Sequence, residues 1–139
     1  MIKRIVALDV GDRRIGIAVS DLTGMIAQSV GVISGRDEEK RMAELDSYIK
    51  EYNPSEIVLG YPLNMNGTKG ERAEKSELFR DVLVEKYGIK VVLWDERLSS
   101  MAAHRTLEEA GISGKKRTGK VDPLAAAFIL QGYLDSKGF

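Results

Sequence analysis

The chain has 139 residues, 43% of them hydrophobic and 30% charged, which suits a soluble globular protein able to bury one core unaided. Its 21 Lys and Arg balance 21 Asp and Glu, which argues against a protein that grips nucleic acid by bulk charge. Cysteine is absent, excluding a disulfide framework or a thiolate metal site. No secretory h-region or apolar run of membrane-spanning length stands in the sequence. The expectation is a single cytoplasmic domain over residues 1–139 with no membrane partner.

Ile5 to Leu8 is an apolar run that ends in Asp9, with Gly11 just beyond. Ile15 to Val19 is a second run. The segment between them is too short for a crossover helix, so the two are expected to pair as an antiparallel hairpin. Ile26 to Ile33 is rich in β-branched residues and follows a turn at Thr23-Gly24, which predicts a third strand and a meander. The period then changes: Met42, Leu45, Tyr48, Ile49 and Tyr52 recur at helical spacing over Asp37 to Tyr52. Ile57 to Leu59 is a short buried strand ending at Gly60. A loop rich in turn residues, Tyr61 to Gly70, leads into a helix over about Glu71 to Tyr87, with Leu78, Phe79, Val82 and Leu83 as its inner stripe and Gly88 as its stop. Ile89 to Trp94 is a fifth strand, followed by Asp95-Glu96-Arg97. A third helix is expected from Ser99 or Ser100 to Gly111. Ser113 to Lys120 shows no periodicity and reads as a loop. Asp122 then caps a last helix, with Pro123 in its first turn. The order is βββαβαβαα, which predicts an α/β mixed five-stranded sheet with helices on both faces.

Three carboxylate groups fall where a site is expected: Asp9 at the end of the first strand, Asp95 and Glu96 at the end of the fifth, and Asp122 at the start of the last helix. Sites in α/β sheets gather at the carboxyl ends of strands. Like charges brought close repel unless a cation joins them, and hard divalent ions such as Mg2+ or Mn2+ prefer oxygen ligands. Two such ions about 3.5–4 Å apart suit the attacking and leaving oxygens of a phosphodiester. Asp95 and Glu96 point to opposite faces of a regular strand. Glu96 is the preferred partner of Asp9, with Asp95 in reserve. The competing structural readings are a plain N-cap at Asp122 and a solvated strand end at Asp95-Glu96-Arg97. His104 is given no role.

Lys115, Lys116, Arg117 and Lys120 form the densest positive stretch, just ahead of Asp122. A solvated surface run is the ordinary reading, and contact with backbone phosphate is the functional one. Arg14, with Arg13, in the first hairpin and Arg97 beside the acidic pair are further candidates for phosphate contact. No aromatic array accompanies these cations, so stacking readout of single-stranded bases is not expected.

Four segments resemble one known family in the right order: Asp9-Val10-Gly11 with Arg14-Ile15-Gly16-Ile17-Ala18-Val19-Ser20-Asp21; Gly60 to Thr68 followed by Arg72-Ala73; Asp95-Glu96-Arg97-Leu98-Ser99; and Asp122-Pro123-Leu124-Ala125-Ala126. Together they span the chain and resemble the YqgF, or RuvX, family. The resemblance implies an RNase H-like fold related to the RuvC resolvases. It implies a metal-dependent nuclease for structured RNA or branched DNA, acting either in 5′-end maturation of pre-16S ribosomal RNA or as a Holliday junction resolvase. It assigns acidic roles to Asp9, to the Asp95-Glu96 pair and to Asp122. Asp12 departs from the threonine or serine that often follows the first glycine, and it adds a negative charge near the expected metal site.

Pre-16S processing is the preferred reading, on the resemblance alone. Junction resolution calls for a symmetric homodimer with two sites, and a monomer suffices for the other reading. Two non-nuclease classes remain open. One is a nucleotide-binding module of the actin and sugar-kinase kind, which shares an Asp-x-Gly hairpin but needs a second lobe to enclose ATP. The other is a ribosome-assembly factor that only binds, which a carboxylate cluster disfavours because it repels a phosphate backbone.

Overall fold

The computed structural model describes residues 3–96 and 114–137, with side chains described over 3–96 and 124–137. Among the described residues, five strands, β1 (Ile5–Val10), β2 (Arg14–Ser20), β3 (Ala27–Ser34), β4 (Glu56–Tyr61) and β5 (Lys90–Asp95), join three helices, α1 (Glu38–Tyr52), α2 (Glu71–Tyr87) and α3 (Gly114–Ser136). The sheet order is β3-β2-β1-β4-β5. β1, β2 and β3 form an antiparallel meander, while β4 lies parallel to both β1 and β5. This is the expected mixed five-stranded α/β sheet. The helix expected between Ser99 and Gly111 lies outside the described residues.

Alternation along the strands divides the core into two layers. Val6, Leu8, Ile15, Ile17, Ile57 and Leu59 face α1 and α2, where they meet Leu45, Ile49 and Leu83. Ile5, Ala7, Ala18 and Val58 face α3, where they meet Ala126, Ile129, Leu130, Tyr133 and Leu134. The α3 side is lined by smaller residues, so that helix can sit close to the sheet. Tyr133 Oη donates to Glu56 at the start of β4, and Ile129 lies beside Gly60 near its end. α3 therefore runs antiparallel to β4, with its N-terminal part directed toward the carboxyl ends of the parallel strands.

The ends of α1 and α2 follow from local chemistry. Asp37 caps α1 by accepting from the backbone N–H groups of Glu39 and Lys40. Asn53 closes it in the left-handed conformation at φ 44°, and Gly88 closes α2 at φ 64°.

Two expectations are corrected. α2 buries Ala73, Ser76 and Leu83, while Leu78 is 67% exposed and Val82 48% exposed. Leu83 and the partly buried Phe79 stand in the stripe as expected, Ala73 and Ser76 complete it, and Leu78 and Val82 fall outside it. The second correction concerns α3, which begins at Gly114 rather than after a cap at Asp122. Residue 122 is interior to the helix, and Ser113 to Lys120 is not a loop throughout. Lys and Arg are good helix formers, and their turns need no apolar stripe when later turns are packed. Pro123 has no N–H to donate to the carbonyl of Gly119, so one helical bond is missing where a cap was expected.

The corrected face of α2 predicts a contrast in urea unfolding. Leu83→Ala should cost about 2–5 kcal/mol, and Leu78→Ala should change stability by less than about 0.5 kcal/mol. Equal losses would reject the assignment of these faces.

Candidate active site

Asp9 stands opposite Gly16 of β2, one residue past the pair Leu8–Leu59 that joins β1 to β4. It shares its strand face with Ile5 and Ala7, the α3 side. On β5, Val92 and Trp94 pack toward the same side. Glu96 continues that alternation just after the strand, with its backbone N–H donating to Tyr61 O at 3.4 Å. Asp95 pairs with Tyr61 in the ladder and has the opposite parity. The sheet thus turns Asp9 and Glu96 toward each other across β4.

Gly60 makes their approach possible. A Cβ at this position would collide with Glu96 Oε2 and lie 3.0 Å from Ile129 Cδ1. The Glu96 carboxyl group occupies the space that any side chain at residue 60 would need. It also hydrogen-bonds the side chain of Asp9.

Burial and then the neighbouring Asp9 charge push the Glu96 carboxyl up to about 8, with the Asp9 hydrogen bond and Asp95 acting in the same direction and Arg72 opposing them. Near neutral pH the pair therefore retains a proton that two ordinary carboxyl groups would have released. Its donor set is oxygen alone, which suits hard divalent cations such as Mg2+ or Mn2+. Among the described residues no group of three acidic or histidine side chains is close enough to hold a metal ion. Asp9 and Glu96 supply two carboxyl groups, and the side chain of Asp122 lies outside the described residues.

An open groove of about 390 Å³ adjoins Asp9 and is lined by Arg13, Arg14, Arg36 and Arg72. Arg14 was expected here from its place in the hairpin. Arg36 and Arg72 were not assigned a site role from sequence. They come from the approach to α1 and the first turn of α2, and only the fold brings them beside β1. Arg97 lies outside the described residues. Lys115, Lys116, Arg117 and Lys120 fall on the first turns of α3, and their side chains are not described.

Residues 3–136 match the family described as RuvX, Holliday junction resolvase. The chain belongs to the RuvX family. Among its relatives, a Desulfitobacterium hafniense protein named “Putative pre-16S rRNA nuclease” is 52% identical over 95% of this chain and 92% of its own. A Clostridioides difficile protein of the same name is 51% identical over 96% of this chain and 95% of its own. Family membership makes this chain a nuclease-class enzyme. The fold resembles that of Thermus thermophilus RuvC in complex with a Holliday junction substrate, at TM-score 0.56 and 14% identity over 98% of this chain and 96% of that one. Fowlpox virus resolvase, with its junction DNA, matches at TM-score 0.56 and 15% identity over 96% of this chain and 98% of that one. The sheet and its neighbours are RNase H-like, as the sequence resemblance implied.

The raised Glu96 value predicts the pH dependence of stability in chelator. Glu96 binds its proton more tightly folded than unfolded, where the ordinary value is 4.5. Its stabilising contribution is complete below about 4.5 and declines as pH rises toward about 8. The melting temperature should fall across that window, and Glu96→Gln should flatten the fall. An unchanged slope in Glu96→Gln would reject the buried acidic pair.

Proposed function

We propose that this RuvX enzyme is a divalent-metal-dependent phosphodiesterase for structured RNA, with the 5′ end of pre-16S ribosomal RNA as its substrate. Asp9, Glu96 and Asp122 hold the metal, and Arg13, Arg14, Arg36 and Arg72 receive the backbone. The observation that carries this reading is the hydrogen-bonded Asp9–Glu96 pair, in which burial and like charge raise Glu96 to about 8. The names of the curated relatives support the choice of pre-16S RNA.

The course of α3 supports Asp122 as the third carboxylate. Residue 122 precedes Ala126 by one turn and Ile129 by two, and both residues pack toward the sheet. Asp95 contributes negative potential to Glu96 from the opposite strand parity. Bound Mg2+ or Mn2+ would supply positive charge to activate an attacking water and stabilise the leaving oxygen. Asp9 and Glu96 release their retained proton when they take up a cation, so affinity should rise with pH toward about 8. The arginines align the phosphate and offset its charge.

The deciding experiment compares cleavage of a pre-16S fragment and a four-way DNA junction, each with Mn2+ and with chelator. Preferential metal-dependent cleavage of the RNA supports the proposal. Cleavage of the junction alone transfers the assignment to resolution, and equal rates in chelator overturn metal dependence. Asp9→Asn should abolish cleavage while keeping or raising the metal-free melting temperature, because it removes the negative charge pressed against the buried Glu96 carboxyl group. Asp122→Asn should also lose cleavage while changing stability by less than about 0.5 kcal/mol. Wild-type rates in both variants would sink the acidic site.

The first turns of α3 carry a separate expectation. Replacing Lys115, Lys116 and Arg117 together with alanine should weaken unrelated RNAs about equally and flatten the salt dependence by roughly 0.7–0.9 per lost phosphate contact. Unaltered affinity and salt slope would make this stretch ordinary surface.

A further inference from the structure

A second cavity, of about 610 Å³, continues from the groove beside Asp9 and shares Val10, Gly11, Asp12, Arg36 and Arg72 with it. It lies between the β1–β2 turn, the start of α1 and the start of α2. Arg36, Arg41, Arg72 and Lys75 face it against two carboxylates, Asp12 and Glu38. Glu38 is already engaged with Arg41 at 3.4 Å. Lys75 meets Glu71 at 3.6 Å, with both side chains well exposed, so a ligand can compete for that ammonium group. The lining also includes the apolar side chains Met42, Pro62 and Phe79.

One observation gives this cavity anion character beyond its count of charges. Arg41 is 6% exposed and donates to Gly11 O at 2.8 Å and Asp12 O at 3.2 Å. Its Nε is buried without a hydrogen-bond partner among the described residues. One N–H of this buried guanidinium is therefore left for an acceptor beyond Glu38, Gly11 O and Asp12 O.

We propose that this cavity is a nucleotide seat, with a phosphate on Arg36, Arg72 and Lys75 and a base against Met42, Pro62 and Phe79. The seat deepens the nuclease reading and rests on it for the source of the nucleotide, a unit of the substrate strand flanking the cleaved bond. The shared lining lets one strand pass from the groove beside Asp9 into the seat. The apolar side chains give a base a surface that free phosphate cannot use. A free mononucleotide presents the same chemistry, so the test must separate the two sources.

The full-length protein in chelator is titrated with adenosine 5′-monophosphate, inorganic phosphate and adenosine while backbone amide shifts are followed by NMR. The nucleotide should shift Arg72, Lys75 and Ser76 and bind more tightly than either fragment. Arg36→Ala and Lys75→Ala should each weaken it roughly five- to tenfold. Phe79→Leu should weaken the nucleotide while leaving inorganic phosphate unchanged. A short single-stranded RNA should displace the nucleotide from the seat.

Shifts elsewhere, unchanged affinity in both cation variants, or phosphate binding as tight as nucleotide binding would overturn the proposal. RNA that binds without displacing the mononucleotide would do the same, because the source would then be free nucleotide. These readouts need neither metal nor cleavage. Intact seat binding without any cleavage would sink the nuclease reading alone, whereas intact cleavage without seat binding would sink the seat alone.

Discussion

Two carboxyl groups pressed against each other set the terms for the rest of this molecule. Asp9 and Glu96 lie on different strands with β4 between them, so their meeting depends on sheet order, register and strand parity together. It depends also on Gly60, whose missing side chain leaves room for the Glu96 carboxyl. A one-residue slip of β5 would replace Glu96 by Asp95 on that face and reverse the strand's packing. The buried layers on both sides oppose such a slip, because it would turn Val92 and Trp94 away from α3. The core thus holds together a pair of groups that would separate if they were free in water.

Much of this arrangement was legible in the sequence because its signals are local. The apolar runs identify the strands, while Asp37 and Gly88 mark helix ends through chemistry confined to a few neighbouring residues. Alternation puts Asp95 and Glu96 on opposite faces, but Val91 to Trp94 is apolar at both parities, so the register of the folded sheet is what brings Glu96 to the face of Asp9. The signal failed where one motif fits two structures. Asp122-Pro123 suits a helix start, yet it stands inside α3, which other turns hold in place. Leu78 and Val82 have the right spacing for a buried stripe. α2 nevertheless packs through Ala73, Ser76 and Leu83, since close helix–sheet contact there uses small side chains.

The cationic wall was harder to read because no local pattern joins its members. Arg13 and Arg14 belong to a hairpin, Arg36 precedes α1, and Arg72 begins α2. They converge only after the crossover helices are placed. Arg41 offered one usable signal: it precedes Leu45 by one helical turn on a stripe otherwise made of apolar residues. A charge in that position asks for acceptors, which the structure supplies at Gly11 O and Asp12 O. Arg41 thereby fastens the turn that follows Asp9 and connects the first helix to the acidic site.

Zero formal net charge therefore reflects charge separated into neighbouring patches, with the patch geometry determining what each can hold. Arg72 belongs to both, since it lines the groove and lowers the proton affinity of Glu96. A phosphate drawn to Arg72 offsets the positive charge that had been favouring ionised Glu96. The acidic pair then holds its proton more strongly, unless a cation takes the proton's place. In the proposed site, phosphate on the arginine side and a divalent ion on the carboxylate side would consequently favour one another through Arg72 and Glu96. Each binding event would reduce the electrostatic cost of the other, so a neutral chain could assemble an anion and a cation at the carboxyl ends of its central strands without a basic surface overall.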